Sequence, residues 1–143
     1  MFEACVEQFE EMDIAVMNAA VADYSPASIA PNKIKKAEGS LSVELTKTKD
    51  ILKHLGTLKR DGQILVGFAL ETDNEEQNAR TKLSQKNADM IVLNSLNDRG
   101  AGFGGDTNKI TIYERGGQTI RFEAKPKIEV AKDIVNAIIH YKR

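Results

Sequence analysis

Two apolar runs, residues 63–70 (QILVGFAL) and 90–93 (MIVL), constrain this chain more than any other feature. Consecutive apolar residues over so short a span, bounded by turn residues, read as strands covered on both faces, the pattern of a parallel sheet. Between them lie an acidic turn, Glu71-Thr72-Asp73-Asn74, and a helix over 75–86. Parallel neighbours need a crossover of that kind, so the segment predicts a βαβ unit. The flanks extend the alternation. Phe2, Cys5, Val6, Phe9 and Met12 recur at helical spacing ahead of a third short apolar run at 13–17, read as a strand buried on both faces. Residues 41–45 alternate like a half-buried strand, and a helix carrying Ile51, Leu52, Leu55 and Leu58 follows, with Thr48 or Asp50 as its cap. Residues 109–113 and 119–123 alternate around a Gly116-Gly117 turn, a β-hairpin spanning about 108–124. Pro126 opens a last helix with Ile128, Val130, Ala131, Ile134, Val135 and Ile138 inward. The predicted fold is α/β, a Rossmann-like three-layer, mostly parallel sheet with an added antiparallel hairpin, in a single domain over 1–143.

One stretch does not fit the alternation. Residues 18–36 (NAAVADYSPASIAPNKIKK) show neither helical nor alternating period, cross Pro26 and Pro31, and end in Lys33, Lys35 and Lys36. Long segments of this kind inside a compact domain are usually functional or disordered. A flexible, lysine-rich flap over about 20–40, closing on a phosphate-bearing ligand, is the reading adopted; a merely solvated loop is the alternative.

The bulk charge narrows the partners. A net charge of -1 predicts no general affinity for nucleic acid or anionic membrane. No apolar run approaches the roughly 18 residues of a membrane span, and no secretion signal opens the chain. The single cysteine, Cys5, excludes an internal disulfide framework and fits a reducing, cytoplasmic setting. One cysteine and two distant histidines, His54 and His140, supply no zinc set, so no protein-held metal is expected. Glu71, Asp73 and Asp106 could touch a Mg²⁺ carried by a nucleotide.

Among candidate site residues, Lys33 has the long stem and compact ammonium suited to charge building on a polyphosphate leaving group. Lys82 and Lys86, four apart, share a helix face and would serve the same phosphates if that face meets the cleft. Asp23 lies just past a strand, where it could bind a base or ribose edge or cap a turn. Phe68 could stack on a base or belong to the core. The glycine-rich loop at 100–105 lacks the helix and Lys-Ser/Thr pair of a phosphate-cradling motif and reads as a flexible turn, with a subunit contact as a further use.

Taken in order, AAVADY, AP-x-KIKK, T-K-D-I, VGFALET, A-R-x-K-x-x-x-K-N, D-M-I-V-x-N and G-F-G-x-D-x-N closely resemble bacterial phosphopantothenoylcysteine synthetase, often the C-terminal half of a bifunctional coenzyme A biosynthesis protein. The resemblance implies a ligase that joins 4′-phosphopantothenate to cysteine through an acyl-cytidylate made from CTP with Mg²⁺. It implies that Met17, Asn18, Ala19 and Asp23 line the nucleotide pocket and that Lys33 is the catalytic flap lysine. Thr48, Lys49, Asp50 and Ile51 would meet the nucleotide from a helix N-terminus, Phe68 would line the base or ribose site, and Lys82 and Lys86 would hold phosphates. Thr48-Lys49-Asp50-Ile51 departs from the Asn-Pro-Asp-Ile of some members, so backbone contacts are expected there rather than side-chain ones. Nothing in the chain matches the family's N-terminal glycine-rich turn or its intermediate-handling asparagine. That implies a C-terminal portion that binds CTP weakly and does not catalyse synthesis alone, without FMN, and with a homodimer contact through the 109–123 hairpin. A non-catalytic nucleotide-binding or dimerisation module of the same fold is the alternative.

Overall fold

The computed structural model describes residues 1–34, 40–95 and 105–142. Lys35 and Lys36, and the glycine-rich loop but for Gly105, lie outside the described residues. The elements in chain order are α1 (Phe2–Phe9), β1 (Ile14–Met17), β2 (Tyr24–Pro26), β3 (Leu45–Lys47), α2 (Ile51–Leu58), β4 (Ile64–Glu71), α3 (Glu75–Gln85), β5 (Met90–Ser95), β6 (Thr107–Asn108), β7 (Ile110–Glu114), β8 (Thr119–Arg121), β9 (Lys125–Pro126) and α4 (Lys127–Tyr141). They form two compact units: Met1–Asn18 with Ile51–Arg143, and Ala19–Asp50.

The larger unit is an α/β sheet in the order β1-β4-β5-β7-β8. β1, β4 and β5 run parallel, with Val16 opposite Val66 and Phe68 opposite Val92. β7 turns antiparallel against β5 and carries β8 as the hairpin's outer strand. The two faces of the sheet are filled separately because side chains alternate along each strand. Ile64, Val66, Met90, Val92, Ile110 and Ile112 pack under Val130, Ile134, Ala137 and Ile138 of α4. On the other face Leu65 meets Phe9, Ile51 and Leu55, while Ile91, Leu93 and Tyr113 meet Ala79 and Leu83 of α3. These are the three predicted layers, with α4 on one side and α1, α2 and α3 on the other.

Polar ties fix the ends of the strands where they enter the sheet. Gln63 donates to the carbonyls of Phe9 (2.8 Å) and Met12 (2.7 Å), and the Arg60 guanidinium donates to the carbonyl of Glu10. The Phe9 carbonyl also accepts from the Met12 amide (3.2 Å), and the Gln63 and Arg60 bonds tie the end of α1 to the segment that leads into β4. Asp89 is the second tie: Lys59 Nζ donates to both its oxygens (2.7 and 2.8 Å), and the Leu65 amide to Oδ2 (2.8 Å).

The smaller unit contains the hairpin β2–β3, with Tyr24 opposite Lys47 and Pro26 opposite Leu45. It was not foreseen, since β2 lies within the stretch read as aperiodic. The strand predicted at 41–45 is displaced accordingly: β3 begins at Leu45. Two further expectations are corrected. β1 is not covered on both faces, because it is the outermost strand and α4 lies across β4, β5 and β7; Ile14 and Val16 are 39% and 43% exposed. On α4, Ile128 (70%) and Val135 (54%) point outward, since the buried stripe runs through Val130, Ile134, Ala137 and Ile138.

Candidate nucleotide site

The C-terminal ends of β1, β4 and β5 bring several predicted residues together within the larger unit. Ligands of open α/β sheets gather outside the carboxyl ends of parallel strands. Met17 closes β1 opposite Gly67, and Asn18 follows it, exposed. Gly67 leaves room for two side chains: a Cβ there would stand 2.5 Å from Cδ2 of Leu52 and 3.0 Å from Cδ1 of Ile91, which would have to shift. Its absence lets α2 approach the sheet directly, with Ile51 buried in the same apolar cluster that Met17 touches.

Phe68, next along β4, is half-buried and packs against the α4-side core. Both readings of this residue therefore have a basis: part of the ring is core, and part remains accessible. The ammonium of Lys82 reaches back from α3 to lie 3.4 Å from the Phe68 carbonyl. Lys86, one turn farther along α3, has its backbone against α2, where its carbonyl oxygen would be 1.9 Å from a Cβ on Gly56. The Lys82 head group thus meets β4, while Lys86 follows the end of α3 just ahead of β5.

Beyond the apolar part of the strands stands a polar rim, of which the sequence reading singled out Glu71 and Asp73 but not Asn78, Asn94, Ser95 or Asn108. Asn94 near the end of β5 accepts from Asn108 (3.1 Å), and Ser95 donates to Glu75 (2.5 Å). Glu71 accepts from Asn78 (3.0 Å), whose amide also reaches the Asp73 carbonyl (2.9 Å). The signal available in the sequence was the switch from apolar to amide and hydroxyl residues at the end of the MIVL run. Among the described residues no three His, Cys, Asp or Glu side chains converge on a cation position. Glu71, Asp73 and Asp106 therefore form no three-carboxylate cage for Mg²⁺.

In the smaller unit the structure joins Asp23 to Thr48 and leaves Lys33 apart. The Thr48 amide donates to the Asp23 carbonyl (2.9 Å), and its hydroxyl to the Ala22 carbonyl (2.7 Å). These bonds close the base of the β2–β3 hairpin, so Thr48 acts there as a backbone tie rather than as a helix cap. The Asp23 side chain is exposed, as are Ala19, Lys33, Lys49 and Asp50.

Comparison with known proteins agrees with this architecture. Residues 1–141 match the family model described as the DNA/pantothenate metabolism flavoprotein C-terminal domain. A protein from an unknown prokaryotic organism, named cysteine/cysteine sulfinic acid decarboxylase, is 52% identical over 97% of this chain and 39% of its own length. The coenzyme A biosynthesis bifunctional protein CoaBC of Bacillus subtilis (strain 168) is 44% identical over 96% of this chain and 34% of its own. A crystal structure of the C-terminal domain of a CoaBC protein superimposes with a TM-score of 0.75 at 38% identity, covering 96% of this chain and 58% of that one. The chain thus spans little more than a third of the curated relatives it matches, and what their names describe extends over sequence it does not share. With the match running through both units, this chain belongs to the DNA/pantothenate metabolism flavoprotein C-terminal domain family.

Proposed function

We propose that this chain is the nucleotide-handling part of a phosphopantothenate–cysteine ligase of coenzyme A biosynthesis, with CTP as the nucleotide. The observation that carries this reading is the Lys82 ammonium at the carbonyl of Phe68, on the ligand-facing half of a parallel strand. The similarity to CoaBC proteins supports it. In the proposed reaction a 4′-phosphopantothenate carboxylate oxygen attacks the α-phosphorus of CTP, forming the acyl-cytidylate and releasing pyrophosphate. The cysteine amine then attacks the acyl carbon; the C–N bond forms, the bond to the CMP oxygen breaks, and the amine gives up a proton. Both steps develop charge on phosphate oxygens, and preorganised cations lower such barriers more than a strong base would.

Within this reading Lys82 and Lys86 hold phosphates and Lys33 offsets charge on the departing pyrophosphate. Phe68, Met17, Asn18, Ala19 and Asp23 line the base and ribose, and residues 48–51 contribute backbone contacts. Spanning about a third of its relatives, the chain by itself binds nucleotide without completing synthesis. Second copies of the chain associate through the hairpin margin, where β8 is the strand with an unpaired edge, since β7 lies inside the sheet.

Calorimetric titration with CTP and with ATP tests the reading. CTP binding is expected, and Lys82→Gln should weaken it roughly 10- to 100-fold, the worth of one charge-assisted hydrogen bond. Absence of binding to either nucleotide at millimolar concentration would refute it. Pyrophosphate release from CTP, phosphopantothenate and cysteine by this chain alone would refute the claim of incomplete turnover.

A further inference from the structure

At the opposite end of the sheet a cleft of about 330 Å³ opens between the β7–β8 hairpin and α4. Glu114 on its wall pairs with Met90, the first residue of β5, so the cleft lies where the parallel strands begin, whereas Met17 and Asn18 lie where β1 ends. Its volume is at the small end of the range for ligand sites, roughly 300–1,000 Å³. Ile120, Phe122 and Ala137 give it an apolar floor, and Tyr141 borders it.

Its polar groups are mainly acceptors with unmet capacity. Glu114 is only 9% exposed. Its backbone amide donates to the Gln118 carbonyl (3.0 Å), but its carboxylate has no hydrogen-bond or ion-pair partner among the described residues. A buried carboxylate is costly unless a donor or cation compensates it. Burial accordingly pushes the Glu114 carboxyl above the usual carboxylate range, with no neighbouring cation pulling it back. Asp133, across the cleft on α4, is compensated in charge by Lys125, whose Nζ stands 2.5 Å from Oδ2; that buried oxygen nevertheless accepts no aligned hydrogen bond. The His140 Nδ1 lies 2.6 Å from the Asn136 carbonyl, which it meets as the donor.

We propose that this cleft binds a small organic cation, a primary ammonium on a short apolar tail, with its head donating to Glu114 and its tail on Ile120, Phe122 and Ala137. With Asp133 compensated by Lys125, Glu114 is the carboxylate left to meet a cationic head. A bare metal ion would leave the apolar floor unused, and the described residues provide no three-ligand cage for one.

The test is titration of the isotopically labelled 143-residue chain with n-butylammonium chloride, followed by amide ¹H–¹⁵N spectra, with 1-butanol and sodium chloride as controls. Saturable shifts are expected at Glu114, Gln118, Ile120 and Asp133, produced by neither control, and Glu114→Gln should weaken binding by about tenfold or more. Asn136→Trp, at the exposed rim, keeps the carboxylate and blocks the mouth; it should abolish the shifts even if Glu114→Gln perturbs the fold. No saturable shift, equal binding of butanol, or undiminished affinity in either folded variant would overturn the proposal.

Discussion

Asp89 concentrates more of the fold in one side chain than any other described residue. It receives Lys59 on both oxygens and the Leu65 amide on one, and the Arg115 guanidinium lies 3.5 Å away. Lys59 and Asp89 expose only 12% and 8% of their side chains, so removing the negative charge strands a buried ammonium. Asp89→Asn should cost about 3–5 kcal/mol, read from urea midpoints, because breaking one side of a buried pair leaves the other uncompensated. Glu114 makes the contrasting case of a buried carboxylate without a counter-charge. Its raised pKa means the native state holds the proton more tightly than the unfolded chain does. That contribution to stability is fully present below the ordinary value of 4.5 and is lost as pH rises through the raised one. Glu114→Gln cannot titrate, so its stability relative to wild type should climb across that window and level off above it. Unfolding at a series of pH values from about 4 to 7 would show the rise, and a flat difference would contradict it.

Where elements meet, the closest approach is between α2 and the end of α3. Asn87 adopts a left-handed conformation, φ +51°, and donates to the Gly56 carbonyl at 2.7 Å. A methyl on Gly56 would land 1.9 Å from the Lys86 carbonyl oxygen, which is backbone and cannot swing away. Gly56→Ala should therefore destabilise by about 1–3 kcal/mol or more through overpacking, as measured by a lower thermal midpoint. This contact was invisible in the sequence, whereas β4, β5 and the β7–β8 hairpin were readable because an unbroken apolar run or a strict alternation around paired glycines has few other solutions. β2 escaped notice because Tyr-Ser-Pro carries no alternation and its strand character comes from pairing with β3. The exposure of β1 and the outward turn of Ile128 escaped for a related reason: an apolar residue shows what it can bury, and its neighbours decide whether it does. At the candidate site the sequence supplied Lys82 and Phe68 but not their meeting, which depends on how α3 folds back along β4.

For the whole molecule the division into two units puts Lys33, exposed in the smaller unit, in a different unit from the apolar clusters that hold the sheet. Lys33→Gln should leave the unfolding midpoint within about 0.5 kcal/mol of wild type while lowering affinity for CTP. A loss of stability comparable to that expected for Asp89→Asn would instead make it a folding residue. The chain leaves the larger unit after Asn18 and re-enters it at Ile51, and the flanking Met17 and Ile51 belong to one apolar cluster. An insertion whose two ends are held by a common patch of core can change length at little thermodynamic expense, since each doubling of a flexible loop costs only about 0.6 kcal/mol. The boundary between Asn18 and Ile51 is thus a permissive splice point, where this scaffold can exchange one inserted segment for another without rebuilding its own sheet.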